Sequence, residues 1–244
     1  MPSAPALLAD SIERAGVPSV VVDTRPLCRS LLRVEFELET VPAIAAEPGA
    51  HAAFRVAQTQ FRHFTIAEID PVRFRATIIA QQHRGHKGES TGAEQALATW
   101  APGDHVNWCG IQVSRGLRWR PNSDAVLLGD ASTVGLASAF ARRALRDGCR
   151  LTGAVEVEAD AVAAAKHLLP AFEVLTSQTL PGRGLDAWLA DFGAEGKGAV
   201  APLYYLAGGA HIIQRLRADL RFLGVPRKSI LSHPFWAAGK QGLG

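Results

Sequence analysis

The stretch DAVLLGDASTVGLASAFARRALRDGCRLTGAVEVE, residues 124–158, decides the fold. An apolar run, Val126 to Leu128, ends at Gly129 and enters a turn rich in hydroxyl groups. Apolar residues at helical spacing follow as far as Gly148, and a second apolar run begins at Leu151. Strand, helix and strand in this order make one βαβ unit, in which the strands are parallel because the helix carries the chain back to the same end of the sheet. Downstream the alternation continues, with helices at 161–169, 184–193 and 210–224 and strands at 172–177 and 201–209. Short apolar strands between helices predict a parallel sheet covered on both faces.

Upstream the texture is different. Segments 17–27 and 28–40 carry β-branched and alternating residues, and Leu32, Val34, Phe36 and Leu38 share one face at period two. Segments 51–56, 61–69, 71–82 and 104–111 continue the series, separated by the turn signals EPGA, IDP and APGD. Six strands in this length predict a closed or nearly closed antiparallel barrel. A short helix precedes them, with Ser3 or Asp10 as its cap. The polar stretch 114–124 places a boundary near 112–122, giving an N-terminal domain of residues 1–116 and an α/β domain of residues 117–244. The fold class is therefore an N-terminal antiparallel six-stranded barrel followed by a parallel-sheet α/β domain, an arrangement for which a nucleotide-binding domain is one expectation.

Composition narrows the function classes. A formal net charge of +3 on 244 residues, with no basic stripe, argues against a nucleic-acid surface. No basic segment followed by an apolar one opens the chain, and no apolar run approaches membrane-spanning length, so a soluble, cytoplasmic protein without a membrane partner is expected. Cys28, Cys109 and Cys149 are far apart and form no CxxC, and all three read as small buried groups. His83 and His86 lie close together, but no carboxylate or thiol completes a set, so no metal site is expected.

Three segments carry chemistry. The first is FRHFTIAEID at 61–70, where Arg62 and Phe64 project to one side of a strand and Thr65 to the other. An ordinary edge strand with a solvated Arg has the same string. The second is the turn after Leu128, where amide groups and a helix N-terminus can receive phosphate. Only Gly129 and Gly135 are present, so it is not GxGxxG, and a connection capped by Ser132 fits it equally. The third is the tail, with Gly208 and Gly209 ending a strand and Phe235 and Trp236 following. A docked aromatic plug is its plainer reading.

In this order and spacing the segments RHFT at 62–65, LLGDASTVGLA at 127–137, AGG at 207–209 and PFWAAG at 234–239 resemble the ferredoxin reductase-like superfamily. Within it they are most similar to the siderophore-interacting proteins, which are FAD-dependent ferric-siderophore reductases. The resemblance spans residues 17 to 240. It implies that Arg62 pairs with the phosphates of FAD, that Phe64 packs on the isoalloxazine, and that the Thr65 hydroxyl sits near flavin N5, with His63 and Ile66 beside them. It also implies further cofactor contacts from His83, Thr91, Gly92 and Ala93, and an NAD(P)H path lined by Gly129, Asp130, Ser132 and Thr133. Trp236 would lie near the flavin and join Thr65 in the reacting centre. Arg227, Lys228 and Lys240 would attract an anionic ferric siderophore. The family's Tyr is Phe64 here, and the acidic residues expected at 131 and 209 are Ala131 and Gly209. Electrons would pass from NAD(P)H through flavin to Fe(III), with a ferredoxin as another possible partner. A same-fold reductase of another acceptor and a non-catalytic nucleotide-binding protein are the alternatives.

Overall fold

The computed structural model describes residues 4–82, 97, 99–195 and 202–237. The chain divides into two compact units between Val113 and Ser114. The first opens with α1 (Ala4–Arg14), followed by β1 (Val17–Pro26), β2 (Leu31–Leu38), β3 (Ala50–Ala57), β4 (Gln60–Asp70), β5 (Arg75–Gln81) and β6 (His105–Val113). These strands close into a barrel in the order β1-β2-β5-β4-β3-β6, every pairing antiparallel, with β6 returning to β1.

Period-two alternation sends Val34 and Phe36 of β2 inward. There Phe36 meets Trp108 edge to face at 5.1 Å and stacks near Phe54 at 5.7 Å. These rings, with Ile78 and Leu32, fill the barrel, and closure leaves no unpaired strand edge. Asp10 is not a cap. It lies within α1, and its carboxylate, with that of Glu13, accepts from the Arg55 guanidinium at 2.7 Å, fastening α1 to β3.

The second unit contains β7 (Ala125–Asp130), α2 (Val134–Asp147), β8 (Leu151–Val157), α3 (Val162–Leu168), β9 (Glu173–Thr176), α4 (Arg183–Glu195), β10 (Leu203–Gly209), α5 (Ala210–Phe222) and β11 (Ile230–Trp236). All pairings in its sheet are parallel, in the order β11-β10-β7-β8-β9. Leu128 and Leu206 point to one face, against Leu185 and Leu189 of α4 and Ile212, Ile213 and Leu216 of α5. Tyr205 points to the other, where it meets Phe140 of α2 and Trp119. Every residue of β7 is buried, as a strand covered on both faces requires. Gly148 closes α2 in the left-handed conformation, φ 66°, its amide donating back into the last turn.

One element was not expected from the sequence: Ile230–Trp236 form an edge strand, β11. Segment 114–124 packs on the second unit, since Leu117 and Trp119 are buried and the Trp119 indole donates to Asp147 at 2.7 Å. One sequence expectation is corrected: of the cysteines only Cys109 is buried, while Cys28 and Cys149 are half-buried.

Candidate functional site

In the barrel unit, β4 pairs with β3 so that His51 faces Thr65, Ala53 faces His63, Ala52 faces Phe64 and Phe54 faces Arg62. Alternation therefore puts Arg62 and Phe64 on the inward-facing side, and His63 and Thr65 on the outer side with His51. Arg62 is half-buried and donates from Nη1 to the carbonyl of Phe61 at 3.0 Å. Among the described residues no carboxylate pairs with it, so most of its five donors remain for another acceptor. The half-buried Thr65 hydroxyl likewise has no internal partner among the described residues. Arg62 thus suits a phosphate-bearing ligand on one face of β4, and Thr65 offers a hydroxyl on the other.

Two neighbours behave differently from expectation. Ile66 is 3% exposed and its side chain belongs to the barrel core, so it offers a cofactor no side-chain surface. The Phe64 ring is shared: part rests on the core, 5.9 Å from Phe54, and part stays open. His63 is exposed at one edge and packs its ring edge to face on buried His51 at 5.4 Å. Partial burial pushes its pKa below the ordinary histidine value. His51 carries no sequence motif; only the register across β3 and β4 reveals it. His83, Thr91, Gly92 and Ala93 lie outside the described residues, as does Lys240.

In the α/β unit the carboxyl ends of β7, β8 and β10 form the edge where open parallel sheets take ligands. Asp130 stands at its centre, 9% exposed. Its Oδ1 accepts from the Ser132 amide at 3.0 Å and from the Ser132 hydroxyl. Its Oδ2 accepts from the Gly209 amide at 2.7 Å and from the Trp236 indole Nε1 at 3.0 Å. Thr133 is fully buried and its hydroxyl donates to the Asp130 carbonyl at 2.6 Å. Gly129 lies beneath Thr133, where a Cβ would collide with the Thr133 side chain. Gly129, Asp130, Ser132 and Thr133 are thus brought together, with Asp130 bonded to Ser132, to Thr133 and to the tail.

The neighbouring strand ends repeat the pattern. Glu156, at the end of β8 and 2% exposed, accepts from the amides of Gly182 at 2.6 Å and Gly184 at 2.9 Å, ordering the entry to α4. Gly208 adopts φ 98°, and a Cβ there would press on the Asp130 carboxylate. At Gly209 a Cβ would come within 2.7 Å of the Trp236 ring, which is the physical reason that no larger residue stands where the resemblance expects an acid. Arg227 and Lys228 are exposed, but they precede β11, whereas Trp236 ends it. Six residues of strand separate them from the indole by about 20 Å, so they do not gather around it.

A closed six-stranded antiparallel barrel followed by this five-stranded parallel sheet defines a ferredoxin reductase-like fold. The siderophore-interacting protein from Acinetobacter baumannii is similar to the chain, with TM-score 0.71, 16% identity and 92% of each chain covered. A siderophore utilization protein from T. fusca gives TM-score 0.70 at 19% identity, covering 93% of this chain and 94% of its own. The ferredoxin reductase in carbazole 1,9a-dioxygenase, in an FAD apo form, gives TM-score 0.69 at 19% identity, covering 90% of this chain and 67% of its own. No family model and no curated protein matches the sequence. Among the described residues no helix is long and apolar enough to cross a membrane.

Proposed function

We propose that this chain is an FAD-dependent reductase that carries electrons from NAD(P)H to a ferric siderophore, releasing Fe(II). The observation that carries the reading is β4, where Arg62 and Thr65 are half-buried and have no competing side-chain partner. The similarity of fold to two siderophore-associated proteins supports the acceptor. FAD, when bound, accepts a hydride as a pair of electrons and releases them singly, which a one-electron acceptor such as Fe(III) requires. Over one turnover, NAD(P)H and two Fe(III) give NAD(P)+, two Fe(II) and one proton.

The chain's own part is to bind and orient. The guanidinium of Arg62 meets phosphate as a planar, permanently charged donor set. The open part of Phe64, which shares its face of β4 with Arg62, would give the ring system an apolar rest, and the Thr65 hydroxyl would offer a hydrogen bond from the other face of the strand. No side chain is needed as general acid or base for electron delivery to iron.

The test is an absorbance spectrum after FAD addition and desalting, followed by anaerobic titration with NADH or NADPH and then a ferric siderophore. The expected result is a retained flavin band that bleaches with one nucleotide and returns with the chelate. Arg62→Ala is expected to weaken FAD retention about 10-fold or more, the worth of a charge-assisted bond to phosphate. A wild-type protein that retains no flavin overturns the reading.

A further inference from the structure

The surplus charge of the chain is gathered at one corner of the α/β unit. Between Arg217 and Lys228 stand four cations, Arg217, Arg221, Arg227 and Lys228, against a single carboxylate, Asp219. That surplus equals the formal +3 of all 244 residues, so the rest of the sequence is neutral in sum. All four cations are exposed, and among the described residues none has an ion-pair partner. By contrast Arg183 and Arg215 share the carboxylate of Asp186. Arg217 and Arg221 lie one turn apart on α5, outside the face that buries Ile212, Ile213, Leu216 and Leu220.

The same corner holds Phe222, whose side chain is 91% exposed, with Leu223 exposed beside it. Neither sits in a loose end. Gly224 reverses the chain at φ 81°, its amide donates to the Arg221 carbonyl at 3.0 Å, and the Val225 amide donates to the Leu220 carbonyl at 2.9 Å. The backbone thus holds the phenyl ring outward at the tip of a hydrogen-bonded turn in which residues 221–224 are all exposed. A helix carboxyl end favours cations, which accounts for Arg221. The dipole reaches only the last turn, so it accounts for neither Phe222 nor the pair Arg227 and Lys228.

We propose that the tip between α5 and β11 docks this protein on an anionic lipid bilayer, Phe222 and Leu223 entering the headgroup boundary while the four cations meet lipid phosphates and carboxylates. The shape favours a bilayer over an acidic protein. A protein partner needs a pocket for the phenyl ring and carboxylates placed to match, whereas a bilayer receives a protruding apolar tip anywhere and supplies its charge diffusely. Surface attachment needs neither a leader nor a spanning run. The tip precedes β11 and therefore lies at the end of the sheet opposite the carboxyl edge with Asp130 and Glu156, so docking leaves that edge open.

The test is flotation of the full chain with vesicles of phosphatidylcholine, with and without phosphatidylserine, at low and high ionic strength. Beside the wild type stand Phe222→Ser and a variant combining Arg217→Gln, Arg221→Gln, Arg227→Gln and Lys228→Gln. All five sites are exposed, and circular dichroism checks that the variants keep the fold. The wild type is expected to float with the phosphatidylserine vesicles alone and to be released by salt. Each cation near an anionic surface strengthens partitioning about fivefold, so the combined variant is expected to bind about 100-fold more weakly or worse. Phe222→Ser is expected to bind about 10-fold more weakly. Soluble polyglutamate, offered in place of vesicles, stands for an acidic protein. If it holds the wild type as tightly as vesicles do and Phe222→Ser no less tightly, an acidic protein is the occupant and the proposal fails. A wild type that does not float, or either variant floating like the wild type, also overturns it. The reductase reading survives each of these results, because it rests on Arg62 and Thr65 and is tested by flavin retention.

Discussion

Replacing Asp130 with Asn keeps the shape of the side chain and removes its charge and one acceptor. Four donors converge on the two carboxylate oxygens: the amide and hydroxyl of Ser132 on Oδ1, and the Gly209 amide and Trp236 indole on Oδ2. In the amide the better flip keeps oxygen toward Gly209 and Trp236. The Ser132 hydroxyl then turns to accept, and the Ser132 amide alone is orphaned. One orphaned donor, together with loss of charge assistance on two retained bonds, amounts to about 2 kcal/mol, or roughly 30-fold in an opening equilibrium. Asp130→Ala orphans the whole set and is expected to cost about 4 kcal/mol. Amide hydrogen exchange read on peptides from β7 and β10 isolates this unit, and both peptides are expected to exchange faster in the order wild type, Asn, Ala. If the Asn and Ala variants exchange within about threefold of the wild type, the carboxylate is not the keystone described.

Three further outcomes follow from the same geometry. Gly129→Ala drives a methyl group into Thr133 and is expected to cost about 1–3 kcal/mol by overpacking, measured by guanidinium unfolding. Both tyrosines, Tyr204 and Tyr205, are pushed above the ordinary tyrosine value by burial, so absorbance near 295 nm should not rise below about pH 10 while the protein is folded. A tyrosinate step at lower pH would contradict their burial. For His63 the lowered pKa means that the fold favours the neutral ring and the unfolded chain takes up a proton first as pH falls. Its contribution to stability is complete above about pH 6.5 and is lost as pH falls through the folded midpoint. Proton NMR should place the His63 midpoint below that of an exposed histidine, and His63→Gln should flatten the stability profile across the window.

Much of the architecture was legible because both units advertise their period. Leu32, Val34, Phe36 and Leu38 alternate toward one interior, and the helix after Gly129 stops at Gly148, where the left-handed turn suits glycine. The last strand was hidden for a physical reason. Pro234 argues against a strand, yet an edge position tolerates it because one side of the strand needs no donors. Without β11 the tail had no direction, so Arg227 and Lys228 could not be assigned to the end of the strand opposite Trp236. The strand Arg62 to Thr65 was found from residue type alone, but the inward position of Ile66 and the partnership of His63 with His51 depend on register. The acids Asp130 and Glu156 show the limit most plainly. Sequence marks them as carboxylates at strand ends, whereas only geometry reveals that backbone amides distant in the chain already satisfy them.

The position of β7 also bears on how the protein is made. It is the first strand of its sheet to emerge during synthesis, and it lies between β10 and β8 with every residue enclosed. The Gly209 amide that locks it follows Asp130 by 79 residues, and the Trp236 indole follows by 106. At about 5–20 residues per second, the ribosome leaves one flank of this apolar strand uncovered for several seconds or longer. That flank is closed only when β10 arrives, so slowing translation within residues 131–209 lengthens the interval in which the apolar strand can aggregate.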